Sequence, residues 1–428
     1  MSTHRPLAAS CVEIWRAALA RMQAARLVKE ALAADPLPPG PVRLLALGKA
    51  AAPMLEAAVE TLGDRARDLL CVTPEGTPPP RVADPGAQLL HAGHPRPTEA
   101  SVAAGERLLD WSLRGGGTPA LVLLSGGGSA LAVAPADGVP AADKIDALAA
   151  LMRAGLTIGA LNTVRKHLSR LKGGQLGAAL APAPARVLVL SDVPGDDLST
   201  IASGPLAPDP TTFAEALALA RGAGVALPAT VVRRLELGAA GALPETPAPG
   251  DPRLAGVRHH LLAGPVELAR AAAEAALEAG FQAEADPAPL AGSVEEVAER
   301  LAAWAATGAG QGRRLLAMGG EPTVRLPASA GAPDGGRAQH LALLAALRLE
   351  GRRAALLAAG SDGRDGPTEQ AGAVVDGETA AGARRLGIDL ASALAAARSG
   401  PAAVAIGAAL PRSDTGTHLC DLVLVAVE

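Results

Sequence analysis

Residues 42–62 read VRLLALGKAAAPMLEAAVETL. A run of strand character, apolar but for Arg43, meets Gly48 and Lys49, and small and apolar residues with helical spacing follow over 50–62. Strand, glycine turn and helix in that order are the unit from which a parallel sheet is wound. The lysine at the turn stands out, because the chain has only five lysines (29, 49, 144, 166 and 172) among 39 basic residues. Where a basic residue need only be soluble, this protein uses arginine.

The same unit recurs outward from this stretch. Short apolar runs ending in glycine or a polar turn lie at 68–76 (DLLCVTPEG), 120–131 (ALVLLSGGGSAL) and 185–197 (ARVLVLSDVPGDD). Helix-like segments separate them at 98–113, 141–153 and 211–220, and a further helical stretch over 8–34 precedes them. Strands alternating with helices predict a mostly parallel sheet covered on both faces. From 238 to 254, GAAGALPETPAPGDPRL reads as a linker or a long surface loop. The pattern then restarts, with HHLLAG at 259–264, helices at 265–280 and 293–306, strands near 313–318 and 354–359, and a closing strand, DLVLVAVE. The expectation is α/β with two α/β domains, 1–240 and 241–428, as suits a chain of 428 residues.

Bulk composition excludes several classes. The net charge of −4 and 1% aromatic content, with no tyrosine, offer neither the basic face nor the stacking rings of a nucleic-acid binder. Three cysteines, Cys11, Cys71 and Cys420, lie far apart with no CxxC, which argues against disulfides and zinc. The first residues carry charges where a signal peptide needs an apolar core. ALAALMRAGLTIGAL, the nearest thing to a membrane span, is broken by Arg153 and falls short of about 20 apolar residues. A soluble, cytoplasmic protein is expected.

Parallel sheets bind ligands beyond the carboxyl ends of their strands, so the turns carry the candidates. Ser125, Gly126, Gly127, Gly128 and Ser129 follow the third run, and such a turn opening a helix lets backbone N–H groups approach an anion. Asp192, Asp196 and Asp197 follow the fourth, where clustered carboxylates suit Mg²⁺ or serve only as turn residues. In the second half, Glu321 follows a strand and a glycine pair, and Arg337 opens an apolar helix. Asp362 and Asp365 lie in a glycine-rich turn, and Asp414, Thr415 and Thr417 precede the last strand. Lys49, a compact charge, suits phosphate oxygens, whereas the planar fork of Arg337 suits a carboxylate. NTVRKHLSRLKGG adds Arg165, Lys166, His167, Arg170 and Lys172, read as a helix face that is partly solvated and lends positive potential.

Rival motifs are missing. No lysine is followed by Ser or Thr, so there is no Walker A sequence. The closest approach to GxGxxG, GGGSAL, has Leu131 at its third glycine position, where bulk would crowd helix against strand. There is no HExxH, GxSxG or CxxCH.

Together, LALGKAA, GHPRPTEAS, LLSGGGSAL, NTVRKHLSRLKGGQLG, SDVPGDDLSTIASGP, GGEPTV, GGRAQHLAL, GSDGRDGPTEQAGAVVDG and DTGTHLCDL stand in an order that resembles the glycerate 2-kinases of the MOFRL type, from about residue 8 to the C-terminus. The resemblance implies a larger Rossmann-like N-terminal domain, a smaller C-terminal α/β domain and an active site in the cleft between them. It implies ATP-dependent phosphorylation of the 2-hydroxyl of D-glycerate with Mg²⁺, with Lys49 and Arg337 as active-site residues. Members are often labelled hydroxypyruvate reductase, so an NAD(P)H-dependent reductase is the rival reading, and a non-catalytic nucleotide-binding regulator a third. Two departures are visible: Ala338 where asparagine is commoner, and His418 and Cys420 where Asn-Val-Asn is expected. On this reading ATP phosphates lie by Ser125–Ser129 with Glu321 and Asp362 as further nucleotide contacts, Asp192 holds Mg²⁺, and Asp192 or Glu321 serves as base. Arg337 grips the glycerate carboxylate or steadies developing charge. The sequence leaves the oligomeric state open, a homodimer included.

Overall fold

The computed structural model describes residues 5–307, 310, 312–325 and 333–428, and the chain forms two compact units. One comprises Leu27–Leu190 and Asp196–Leu262, and the other comprises the residues up to Arg26, Ser191–Gly195 and Ala263–Glu428. The helical stretch expected over 8–34 is two helices, α1 (Arg5–Arg21) and α2 (Ala24–Ala34). The break frees donors for a distant turn: the Gln23 side chain donates to the Thr415 carbonyl at 3.1 Å and the Ala24 N–H to that of Gly416 at 3.2 Å.

There follow β1 (Val42–Leu47), α3 (Ala51–Leu62), β2 (Ala66–Pro74), β3 (Gln88–Ala92), α4 (Glu99–Leu113), β4 (Ala120–Leu124) and α5 (Gly128–Leu131). Next come α6 (Ala141–Arg153), α7 (Ile158–His167), α8 (Gln175–Leu180), β5 (Ala185–Leu190), α9 (Phe213–Gly222), α10 (Ala229–Ala239) and β6 (Val257–Ala263). The strands lie in the order β3-β2-β1-β4-β5-β6, and β1 to β5 pair in parallel. That is the order of doubly wound sheets, in which the winding reverses between β1 and β4 and opens a crevice there. Every residue of β1 and β4 is buried, as the near-continuous apolar runs require of a sheet covered on both faces. Arg43 is tolerated inside because its guanidinium reaches Asp68 at 2.7 and 2.9 Å and lies 4.1 Å from the Trp111 ring centre.

The Pro- and Gly-rich stretch after α10 is a loop strapped to this unit. Thr246 donates to Asp209 at 3.0 Å, and the Asp209 N–H bonds the Pro247 carbonyl at 2.8 Å.

The remaining elements are α11 (Pro265–Glu278), β7 (Gln282–Ala285), α12 (Val294–Thr307), β8 (Arg314–Gly320), α13 (Arg337–Arg348) and β9 (Ala354–Gly360). After them come β10 (Gln370–Asp376), α14 (Thr379–Arg385), α15 (Leu390–Ala395), α16 (Ser399–Ala405), β11 (Ala409–Pro411) and β12 (Asp421–Val427). Their sheet, β11-β10-β9-β12-β8-β7, is mixed: β7 and β8 are parallel, and the other pairs are antiparallel. Here the expected parallel winding does not hold, because β12 returns between β8 and β9 and pairs against both. Val423, Val425 and Val427 of β12 join one core with Leu301 of α12 and Leu341 of α13, while the alternate Leu422, Leu424 and Ala426 are buried as well. The first helix, α1, packs on α11 and on β9, β10 and β12.

Candidate active site

The candidates fall into two clusters, one on each unit. In the first unit, the turns after β1 and β4 interlock at the point where the winding reverses. The Lys49 N–H donates to the Gly126 carbonyl at 2.9 Å, the Ser125 N–H to that of Leu47 at 3.0 Å, and the Ala50 N–H to the Ser125 hydroxyl at 3.0 Å. Gly48 is required: with φ +130°, a Cβ there would sit 2.2 Å from the Ser125 Oγ and 2.5 Å from its carbonyl oxygen. Gly127, at φ +87°, brings the chain within 3.3 Å of the Lys49 side chain and 3.2 Å of the His94 ring, measured from the Cβ it lacks. The lysine stem, the histidine and the glycine turn thus share one wall. The helix expected after that turn, α5, is a single turn of four residues, so backbone N–H groups rather than a long helix dipole would serve an anion.

Beside the turn runs a polar chain that the sequence reading missed. Ser129 Oγ lies 2.6 Å from Ser203 Oγ, and the Ser203 hydroxyl donates to Asn162 Oδ1 at 3.0 Å. Arg165 Nη1 donates to Asn162 Oδ1 and to Ser203 Oγ, the latter at 3.3 Å. Ala202, Ser203 and Gly204 all have positive φ (51°, 63° and 59°), a strained turn that presents the Ser203 hydroxyl.

In the cationic stretch at 165–172, Arg165 and Arg170 keep partial exposure, as a partly solvated face would, while Lys166, His167 and Lys172 are buried. Lys166 pairs with Asp209 at 3.2 Å, and Lys172 Nζ donates to the Ala132 carbonyl at 3.2 Å. Asp197 accepts from Ser199 and Thr200 within its own turn, as the bland reading of that aspartate has it.

In the second unit the strand register assembles the other cluster. Asp421, which opens β12, lies opposite Gly320 on one side and Gly360 on the other, so Glu321 and Asp362 emerge at the same end of the sheet. Arg337 Nε and Nη2 donate to the two Asp421 oxygens at 2.6 and 3.3 Å, and Nη1 to Glu321. Burial alone would lower the Arg337 pKa, but the Asp421 and Glu321 charges outweigh it and hold the guanidinium more firmly cationic than usual. Asp365 caps α13 from the side, accepting the Ala338 and Gln339 N–H groups at 3.1 and 2.7 Å. Burial, reinforced by Asp421, pushes the Asp365 carboxyl up to about 7. The buried Ala338 therefore contributes its backbone N–H to this cap. His418 stands between two carboxylates, its Nδ1 3.6 Å from Asp192 and its Nε2 3.7 Å from Asp362, and the Cys420 thiol donates to the Asp192 carbonyl at 2.9 Å.

Residues 10–236 match the model of a domain of unknown function, DUF4147, and residues 314–421 match the MOFRL family. A D-glycerate 2-kinase of Thermotoga maritima is 37% identical over 391 residues, 90% of each chain. The chain belongs to the MOFRL-type glycerate 2-kinase family. The crystal structure of a glycerate kinase from the same organism superposes with a TM-score of 0.87 at 35% identity, covering 99% of this chain and 100% of that one. A relative in Agrobacterium vitis that carries the hydroxypyruvate reductase name is 36% identical over 433 residues, 96% of this chain and 95% of its own.

For this member of the glycerate 2-kinase family, the structure gathers Lys49 with Ser125–Ser129, and Arg337 with Glu321. It sets Asp192 and Asp362 on either side of His418. Asp421, His94 and Asn162 are additions. All three lie inside the quoted motifs, but nothing local distinguished them from neighbouring polar residues. Among the described residues no helix is long and apolar enough to cross a membrane.

Proposed function

We propose that this chain transfers the terminal phosphoryl group of ATP to the 2-hydroxyl of D-glycerate, giving 2-phosphoglycerate and ADP. The observation that carries this is the 37% identity, over 90% of both chains, to a D-glycerate 2-kinase. Phosphoryl transfer asks a protein for alignment and charge neutralisation rather than covalent chemistry, and both clusters are built for that. The Gly126–Gly128 turn offers backbone N–H groups to phosphate oxygens, with the Ser125 and Ser129 hydroxyls at its ends. Lys49, on the same wall, brings an ammonium charge to the transferred group. Arg337, clamped by Asp421 and Glu321, keeps two of its five N–H donors with which to steady negative charge. The hydroxyl proton goes to a carboxylate, Asp192 or Glu321, and the amide variant of each decides which.

Mg²⁺ needs only one or two protein carboxylates when phosphates and water complete its shell. Asp192 and Asp362, brought to one histidine ring, fit that requirement, and no group of three or more His, Cys, Asp or Glu side chains among the described residues forms a fuller cage. Bound there with ATP, the cation would neutralise phosphate charge. A cytoplasmic location, where ATP is made and used, suits the reaction.

The reductase reading is weaker, because Leu131, wholly buried, occupies the position where a dinucleotide fingerprint carries glycine or alanine. Two assays on one sample decide between them. D-glycerate with Mg-ATP should yield ADP and 2-phosphoglycerate, and hydroxypyruvate should leave NADH and NADPH unconsumed. Nicotinamide consumption without ADP would reverse the conclusion.

A further inference from the structure

Two arginines flank the clusters described above, and their forks are in opposite states. The side-on edge of Arg337, Nε with Nη2, is filled bidentately by Asp421, and its remaining face meets Glu321. A third carboxylate there would meet two negative charges for one positive. Arg165 is the reverse case. Its Nη1 is held by the neutral Asn162 and Ser203, while Nε and Nη2 bond no protein atom and no carboxylate pairs with it among the described residues. It is only partly buried, and the Ser203 it holds is itself bonded to Ser129 of the glycine turn.

The interior behind it is cationic too. Among the described residues, the buried Lys144 has no hydrogen-bond partner for its Nζ, and the buried Lys172 bonds only the Ala132 carbonyl through its Nζ.

We propose that Arg165 binds the carboxylate of the three-carbon acid through its open Nε–Nη2 edge, with Asn162 and Ser203 as positioning residues that fix the guanidinium beside Ser129. This rests on the kinase reading and deepens it, by separating the residue that recognises the acid from Arg337. A planar guanidinium matches a carboxylate bidentately, which an ammonium cannot do. Uncompensated positive charge in this wall is costly: burial draws Arg165 down to about 10 and Lys172 to about 7. A bound anion offsets that cost. The glycine turn and Lys49 already supply donors for phosphate, so the open fork of Arg165 falls to the other anionic reactant.

The test compares D-glycerate with its neutral amide, D-glyceramide, in the wild-type chain and in Arg165→Met, Arg165→Lys and Arg337→Met. Initial rates are taken over both acceptor and ATP concentrations, and a thermal melt is recorded for each protein. The wild-type preference for the acid in kcat/KM should fall in Arg165→Met by roughly 10- to 100-fold, the range for losing a charged hydrogen-bonded contact. The fall should come through the D-glycerate KM, with the ATP KM unchanged. Arg165→Lys should fall between and supplies the same readout if the methionine variant does not fold. Arg337→Met should turn over more slowly yet keep the preference.

The proposal is overturned if Arg165→Met slows both acceptors equally, as a purely structural role would. It is also overturned if the ATP KM rises in place of the D-glycerate KM, or if the preference collapses in Arg337→Met instead. Absence of D-glycerate turnover by the wild-type chain would overturn the kinase reading first and this inference with it.

Discussion

Lys49 stands just past Gly48 at the end of β1, on the wall shared by His94 and Gly127, while Arg337 starts α13 with its fork on Asp421. If each cation supplies a few kcal/mol to the transition state, Lys49→Ala and Arg337→Ala should each lower kcat by about 10²-fold or more. A loss below about threefold in a folded variant would remove the tested residue from that role. Asp365 yields a pH prediction. Its carboxyl titrates near 4 when unfolded and at about 7 when folded. Between those values the native state holds the extra proton, so its contribution to stability is full below pH 4 and is lost as pH rises through about 7. Urea melts should show the stability of wild type relative to Asp365→Asn falling across that window; a flat or rising difference would contradict it. The types of these residues were visible in the sequence. Their partners were not, because Arg337 and Asp421 stand 84 positions apart and meet only because α13 packs into one core with β12.

Elements with one dominant period were legible. The apolar runs of β1, β4 and β5 and the helices α3, α4 and α6 lie where the pattern predicts them, because each buries a continuous run or a single stripe. The short β3 and β7 escaped notice, being only partly buried, and β10 is hidden inside a glycine-rich stretch. The burial of Lys166 and Lys172 was hidden for a different reason. Charge normally means solvent, but here Asp209 and the Ala132 carbonyl, 43 and 40 positions from their lysines, meet the charges inside. Two substitutions test packing at this scale. Gly48→Ala should destabilise the fold by at least about 2 kcal/mol and reduce activity, since its Cβ would press on the Ser125 backbone from a left-handed φ. Leu341→Ala, in the fully buried face of α13, should cost about 2–5 kcal/mol in denaturant titration. A loss under about 1 kcal/mol would mean that this core relaxes freely.

At the scale of the molecule, the units do not follow one cut in the chain. The first helix, α1, packs against α11 and strands β9, β10 and β12, although its sequence precedes the first sheet, and β6 beyond residue 240 completes that first sheet. Deleting residues 1–21 should therefore raise hydrogen exchange first in α11, β9, β10 and β12, with β1, β4 and β5 protected as before. Faster exchange confined to β1–β5 would contradict that placement of α1. The Pro- and Gly-rich stretch from 238 suggests a division at 240; the contacts that group α1 and β6 act over distances in sequence that no local pattern encodes.

By itself the sequence determined the α/β class, the places of the long apolar strands and the glycine turns, and the chemical types at each turn, since these depend on periods of two and 3.6 residues and on which side chains a tight turn admits. Only the tertiary structure decided which charges meet. It filled the fork of Arg337 with Asp421 and left that of Arg165 open, ran β12 against its neighbours, and gave α1 to the second unit. The physical reason is that ion pairing and strand register are set by how distant segments pack, and packing is a property of the whole chain.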